Sequence, residues 1–254
     1  MLSKIPSETS ICKCCDNVAS LYGAVDFNKN CESTKNPTLL PYIGIPVYYY
    51  RCPNCHFIFT NQFDDFSHKD FLDNIYNEQY VLVDPDFVER RPQNSAAVIA
   101  GFLADNRSLK VLDYGGGNGK TAMLLQQQGY SHVETYDPFS EIYNKKPTDK
   151  FDCIYSFEVF EHTTNPVVTL MDVCSYLKPN GLILFSTLLQ PKNINELGLN
   201  WWYIAPRNGH ISIHTSLSLK SLADSSGFLL AHAGDNFHIL VREIPDWASH
   251  LFNS

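Results

Sequence analysis

From residue 109 onward, apolar and polar positions follow two alternating periods. Apolar runs of strand length occur at 109–114, 132–136, 151–156, 181–187, 228–233 and 237–243. Between them, residues 120–128, 165–177 and 216–226 carry apolar side chains at helical spacing, and 95–105 predict one more helix ahead of the first strand. Residues 190–214 fit neither period. Strand and helix in alternation predict a mostly parallel sheet covered by helices, and the last two strands predict an antiparallel hairpin.

The first 62 residues read differently. Their segments are short and broken by Asn36-Pro37, Pro41, Gly44, Pro46 and Pro53-Asn54, with strand-like runs at Val47-Tyr48-Tyr49-Tyr50 and His56-Phe57-Ile58-Phe59. Six of the eight cysteines fall in the first 55 residues. Residues 63–94 are aromatic and acidic and predict short helices or a covering segment. The expected organisation is a cysteine-rich module at 1–62, a connecting segment at 63–94 and an α/β domain at 95–254.

Composition narrows the function. Apolar residues make up 44% of the chain and charged ones 18%, the balance of an ordinary globular protein. A net charge of -8 argues against a general nucleic-acid binder, which needs clustered Lys and Arg. No run of 18 apolar residues predicts a membrane span, and MLSKIPSETS lacks the apolar core of a secretory signal. A cytoplasmic location is therefore expected, and in a reducing compartment cysteines read as metal ligands or core residues before disulfides.

Cys12-Lys13-Cys14-Cys15 and Cys52-Pro53-Asn54-Cys55 each contain C-x2-C, with 36 residues between the two pairs. Two such knuckles suit a structural zinc site of four thiolates, Cys12, Cys15, Cys52 and Cys55. Cys14 and His56 are alternative ligands. Cys31 reads as a core residue, as do Cys153 and Cys174.

Val111-Leu112-Asp113-Tyr114-Gly115-Gly116-Gly117-Asn118-Gly119-Lys120 carries the densest chemical information. It reads as strand, tight loop and helix, the form in which open α/β sheets build a nucleotide site. A dinucleotide fingerprint fits Gly115 and Gly117 but meets Lys120 at its third glycine. A P-loop fits Gly119-Lys120-Thr121 but meets Tyr114 at its first.

Asp113 followed by Gly115-x-Gly117-x-Gly119 resembles the first motif of class I S-adenosylmethionine-dependent methyltransferases. Glu134-Thr135-Tyr136-Asp137-Pro138-Phe139 resembles the end of that family's second strand. Phe151-Asp152-Cys153-Ile154-Tyr155-Ser156-Phe157-Glu158-Val159-Phe160-Glu161-His162 resembles its fourth-strand region, and Leu177 to Phe185 its turn and fifth strand. The resemblance covers roughly 90–243. It implies a Rossmann-like, mostly parallel sheet of the seven-stranded type. Only 13 residues separate Asp137 from Phe151, so the sheet is expected to be shortened around strand 3. The resemblance also implies cofactor contacts by Asp113, Gly115, Gly117, Gly119, Asp137, Pro138, Phe139 and Phe157, with Arg91 (or its neighbour Arg90) at the cofactor carboxylate. Asp137 would accept from the ribose hydroxyls.

The cysteine module ahead of such a domain is similar to the layout of sugar C-methyltransferases with an N-terminal zinc module, which are longer. A ribosomal-RNA methyltransferase group also carries an N-terminal zinc site, but the acidic balance disfavours it. Trp201, Trp202, Tyr203, Arg207, His210 and His214 crowd the irregular stretch after strand five, where this fold covers its acceptor. Methyltransferases of the ubiquinone-biosynthesis type have a comparable P-x-x-H stretch. His210 and His162 are candidates for the base that accepts an acceptor proton, with a structural histidine as the alternative for each. Trp201, Trp202, Tyr203 and Arg207, with Tyr76 and Tyr80 as a lid, are candidates for acceptor contact; core packing is the alternative for the tryptophans. The expected activity is methyl transfer to a small-molecule acceptor. An RNA methyltransferase and a non-catalytic binding protein are the competing readings.

Overall fold

The computed structural model describes residues 6–33, 35–36 and 38–252. Residues 1–5 of the N-terminal segment, and Pro37 of the expected turns, lie outside them. The strands are β1 (Thr9–Ile11), β2 (Val18–Asp26), β3 (Pro46–Arg51), β4 (Ile58–Phe59), β5 (Val111–Tyr114), β6 (Val133–Tyr136), β7 (Phe151–Ser156), β8 (Leu177–Ser186), β9 (Ser212–Ile213), β10 (Leu229–Ala233) and β11 (Phe237–Val241).

The chain forms two compact units. The first holds Met1–Pro85, Phe160–Val168 and Leu188–Leu222; the second holds Asp86–Val159, Thr169–Thr187 and Ala223–Ser254. This interleaving differs from the linear division expected at 62 and 94. The reason lies in β9: it is only two residues long, yet it pairs with β4 and extends the N-terminal sheet to the order β1-β2-β3-β4-β9. A two-residue strand has no readable period, so the sequence pattern leaves it in the irregular stretch.

In the first unit, antiparallel β2 and β3 form the longest ladder, with a register shift at Leu21/Gly23. Alternation along β3 sends Val47 and Tyr49 inward, where both are fully buried. Phe27, Ile58, Phe63, Ile75, Ile204 and Ile213 are among the residues that pack with them. The predicted short helix after the cysteines spans His68–Asn74. It starts at a capping box in which the Ser67 side chain accepts from Asp70 N while Asp70 accepts from Ser67 N.

The second unit has the order β10-β11-β8-β7-β5-β6. β6, β5, β7 and β8 run parallel, while β11 and β10 are antiparallel. The expected hairpin and the expected shortening are both present: among the described residues, no strand pairs with the outer edge of β6. The helix ahead of β5 spans Arg90–Leu103, starting earlier than the 95–105 expectation, and buries Ala96, Ile99 and Leu103. The Pro179-Asn180-Gly181 turn lies inside β8 as an irregularity: Leu177 pairs with Phe151 and Leu182 with Cys153. Gly181 is needed there, because a Cβ would come within 2.7 Å of the Leu177 side chain and 3.1 Å of Asp152 O.

Arg207 is 2% exposed. Its guanidinium donates to the backbone Ile75 O and to the side-chain Asn77 Oδ1, each at 2.8 Å, and so ties down the residues on both sides of Tyr76. Burial lowers its pKa, yet it keeps its charge because both bonds are donated by the cation. Removing it strands two acceptors and leaves a void. Arg207→Ala should therefore destabilise the protein by about 2–4 kcal/mol in urea unfolding. An unchanged midpoint would mean that Arg207 serves a ligand rather than the fold.

Candidate functional site

Two groups of chemistry-bearing residues stand out in the second unit's sheet and in the first unit. In the sheet, β5 ends in Asp113, and the chain then turns through Gly115, Gly117 and Gly119, all at positive φ (79°, 57° and 74°). L-residues rarely adopt this conformation, so the glycine spacing encodes the loop's shape. The loop is also crowded. A Cβ at Gly115 would sit 2.4 Å from the Val159 side chain, one at Gly116 2.3 Å from Asp113 Oδ2, and one at Gly119 2.7 Å from the Tyr143 ring. At Gly117, by contrast, a Cβ would meet nothing within 4 Å among the described residues.

Asp113 is 3% exposed, and among the described residues its Oδ2 has no hydrogen-bond partner. Burial pushes its carboxyl up to about 7, opposed by the Tyr155 hydroxyl and reinforced by the charge of Asp137. Asp137, just beyond β6, is bound into the loop: Gly117 N donates to Oδ2 at 2.8 Å and Phe139 N to Oδ1 at 2.7 Å. Each oxygen keeps a further lone pair. Phe139 is 38% exposed beside it. Pro138 lies between them in the chain.

At the end of β7, Phe157 packs against Tyr155 and Phe237. Glu158 follows in a left-handed conformation, φ 57°, which is strained for a residue with a side chain. Its backbone N–H donates to Ser186 Oγ at 2.9 Å, and its carboxylate lies 3.7 Å from Arg91. Of the two candidate arginines, Arg91 thus faces this strand end, while Arg90 pairs with Asp86 at 3.6 Å.

In the first unit, the four expected cysteines converge. Sulfur–sulfur distances are 3.5 Å for Cys12–Cys55, 3.5 Å for Cys15–Cys52 and 3.4 Å for Cys15–Cys55. A tetrahedral zinc with bonds near 2.3 Å separates its sulfurs by about 3.8 Å, so the group fits the ion. The two knuckles repeat one turn. Asp16 N donates to Cys12 O and His56 N to Cys52 O; Cys12 N donates to Asn17 O and Cys52 N to Phe57 O. The residue after each second cysteine, Asp16 or His56, is left-handed, at φ 57° and 58°. His56 and Cys14 lie outside the group of four whose ligand atoms are all within 4.8 Å of one another.

The same unit gathers most of the expected acceptor residues. Tyr203 donates from its hydroxyl to Glu161 Oε1 at 2.7 Å, and its ring lies 4.2 Å from His210 and 5.3 Å from Trp201. His162 lies 4.9 Å from His210 and 6.3 Å from Tyr76, which meets Tyr80 edge to face at 5.2 Å. Trp201 is 5% exposed and its carbonyl accepts from Lys29, whose ammonium also reaches Ile204 O; burial lowers that lysine to about 8. Trp202 is 41% exposed. His214 is fully buried against Phe57 and Ser218. Sequence reasoning passed over Glu161, Tyr155 and Glu158. All three stood in the quoted fourth-strand block, but only their neighbours in space give them roles.

A family model described as a methyltransferase domain matches residues 79–233. The chain belongs to this methyltransferase-domain family. Two curated relatives are ubiquinone biosynthesis O-methyltransferases. The one from Rickettsia akari is 29% identical over 130 residues, covering 40% of this chain and 51% of the relative. The one from Rickettsia canadensis is 28% identical over 140 residues, covering 44% and 58%. The chain thus spans about half the length of the curated relatives it matches. An O-methyltransferase family protein from Burkholderia thailandensis has a TM-score of 0.51 at 11% identity, over 71% of this chain and 64% of that one, and shares the fold.

The packing at Gly116 makes a direct expectation. Its methyl would collide with the Asp113 carboxylate, which is buried and has little room to retreat. Gly116→Ala should cost about 1–3 kcal/mol, as overpacking does, read as a lower midpoint in urea. A neutral substitution would mean that the loop and Asp113 are not packed as described.

Proposed function

We propose that this chain transfers a methyl group from S-adenosylmethionine to a small-molecule acceptor. The observation that carries the proposal is the pairing of a buried carboxylate oxygen at Asp113 with a glycine loop tied to Asp137. A buried acceptor with no partner among the described residues suits a ligand's cationic amino group, directly or through water. The remaining lone pairs of Asp137 suit a cis-diol. The close approaches at Gly115, Gly116 and Gly119 keep side chains off this loop, and on this reading Pro138, Phe139, Phe157 and Arg91 are further cofactor contacts.

When bound, the cofactor supplies an activated methyl group with a neutral leaving group. What is left to the protein is alignment, which can contribute up to about 7–11 kcal/mol. The similarity to ubiquinone biosynthesis O-methyltransferases supports an oxygen acceptor. On that reading His162 or His210 accepts the hydroxyl proton, Glu161 steadies the resulting charge, and Tyr76, Tyr80, Trp201, Trp202 and Tyr203 contact the acceptor. Cys12, Cys15, Cys52 and Cys55 hold a structural zinc, with no coordination position left open for catalysis.

Titration calorimetry tests the cofactor site. Asp137→Ala should weaken S-adenosylmethionine binding at least about tenfold, the loss expected for two hydrogen bonds to a charged group. Asp113 carries a raised pKa of about 7, so it takes up a proton as the pH falls. A cationic ligand favours the ionised form, so affinity should rise as the pH is raised through about 7, and Asp113→Asn should flatten that rise. Wild-type protein that does not bind the cofactor, or Asp137→Ala with full affinity, would sink the proposal.

The zinc has its own measurement. Metal analysis should find about one zinc per chain, lost in Cys52→Ser together with thermal stability. A zinc content well below that would remove the metal from this account.

A further inference from the structure

Three side chains of the first unit carry metal-ligand chemistry apart from the cysteines. Glu161, His162 and His210 each offer a ligand atom, and these atoms lie within 4.8 Å of one another. Glu161 and His162 sit on the short turn Phe160–His162, and His210 on the loop ahead of β9. Ile211 N donates to Glu161 O at 2.9 Å and joins the two segments. Glu161 is fully buried and His210 is 5% exposed.

The groups around the cluster orient it. His210 Nδ1 lies 2.8 Å from Tyr203 O. A carbonyl can only accept, so Nδ1 carries the proton and Nε2 is left with the lone pair. A histidine that donates its other nitrogen to a backbone carbonyl is the usual arrangement behind a metal ligand. Tyr203 does a second task from the same position: its hydroxyl donates to Glu161 Oε1 at 2.7 Å, which favours the anion and fixes its plane. One residue therefore orients two of the three groups. The third, His162, is placed by Gly209, where a Cβ would lie 2.9 Å from His162 Nδ1 and the backbone φ is 86°. Any other residue there would push the ring away.

We infer that Glu161, His162 and His210 bind one divalent transition-metal ion through two imidazole nitrogens and one carboxylate oxygen. Two histidines and a carboxylate on one face of an ion leave its remaining positions open for water or an oxygen-bearing ligand. Neighbouring donors on such an ion, at bonds near 2.1 Å, are about 3 Å apart, so binding draws the three side chains inward from their present limit. If the methyl-transfer reading holds, a metal here lowers the pKa of a bound acceptor hydroxyl, which is the task otherwise left to a bare histidine. Metal binding itself does not rest on that reading.

Mn2+ is the probe of choice, because oxygen and nitrogen donors hold it while thiolates prefer softer ions. It would be titrated into the full-length protein without cofactor or acceptor and followed by loss of the free-ion electron paramagnetic resonance signal. The expected result is saturation near about one Mn2+ per chain, with nitrogen hyperfine coupling from imidazole. His162→Gln, at a partly exposed position, should weaken binding at least about tenfold, and Tyr203→Phe by about 10–100-fold, with thermal melts confirming that both fold. Wild-type protein that binds no Mn2+, or full affinity in both variants, overturns the inference and leaves the cluster as a proton relay. Because neither cofactor nor acceptor is present, failure of methyl transfer would not alter the result.

Discussion

The carboxylate of Asp113 is the constraint around which the second unit's site is organised. A charge sealed at the end of a central strand is costly unless something compensates for it. Here the compensation is partial: burial and Asp137 drive the rise in pKa, the Tyr155 hydroxyl opposes it, and one oxygen has no partner among the described residues. The glycines follow from this. Gly116 packs directly on the carboxylate, and Gly115 and Gly119 are pressed by Val159 and Tyr143. A side chain at any of the three would disturb the wall of the same small space. The loop's composition is set by sterics around a buried acid as much as by backbone conformation.

A second residue plays the corresponding part in the first unit. Tyr203 uses its carbonyl for His210 and its hydroxyl for Glu161, and the hydroxyl also accepts from Leu188 N at 3.2 Å. Arg207, four residues on, ties down the neighbours of Tyr76 through Ile75 O and Asn77 Oδ1. The irregular stretch after β8 is therefore cross-braced by polar groups in addition to the two-residue ladder of β9 on β4. The chain leaves the parallel sheet from the ends of β7 and β8 to form the segments 160–168 and 188–222.

The sheet was legible because its central strands β5, β7 and β8 are largely buried apolar runs, and the helices between them keep one period. The β5 loop was legible because positive φ and close packing leave a glycine imprint, and the cysteine group because a thiolate knuckle has a fixed spacing. Interleaving of the units was not, since β9 contributes two residues and its partner β4 two more. Nor was the fate of Arg207: an arginine in an aromatic loop reads equally as a ligand contact or a buried brace, and only its two acceptors decide its role in the fold. Glu161 stayed hidden for the same reason. A glutamate beside a histidine in sequence has no special meaning until Tyr203, 42 residues away, donates to it.

The two metal-capable groups of the first unit differ in a way that keeps their chemistry separate. Four thiolates form a soft, closed set whose knuckles repeat the same turn, so its metal would have a structural task. Two imidazoles and a carboxylate form a harder, incomplete set with positions left over. An ion suited to the first would be held by charge and softness; an ion in the second would depend on the orientation given by Tyr203 and Gly209. Loss of the Tyr203 hydroxyl should therefore weaken the second site while sparing the first, because no bond of Tyr203 reaches the cysteine knuckles among those described. That asymmetry separates a designed ligand set from histidines that merely share a buried loop.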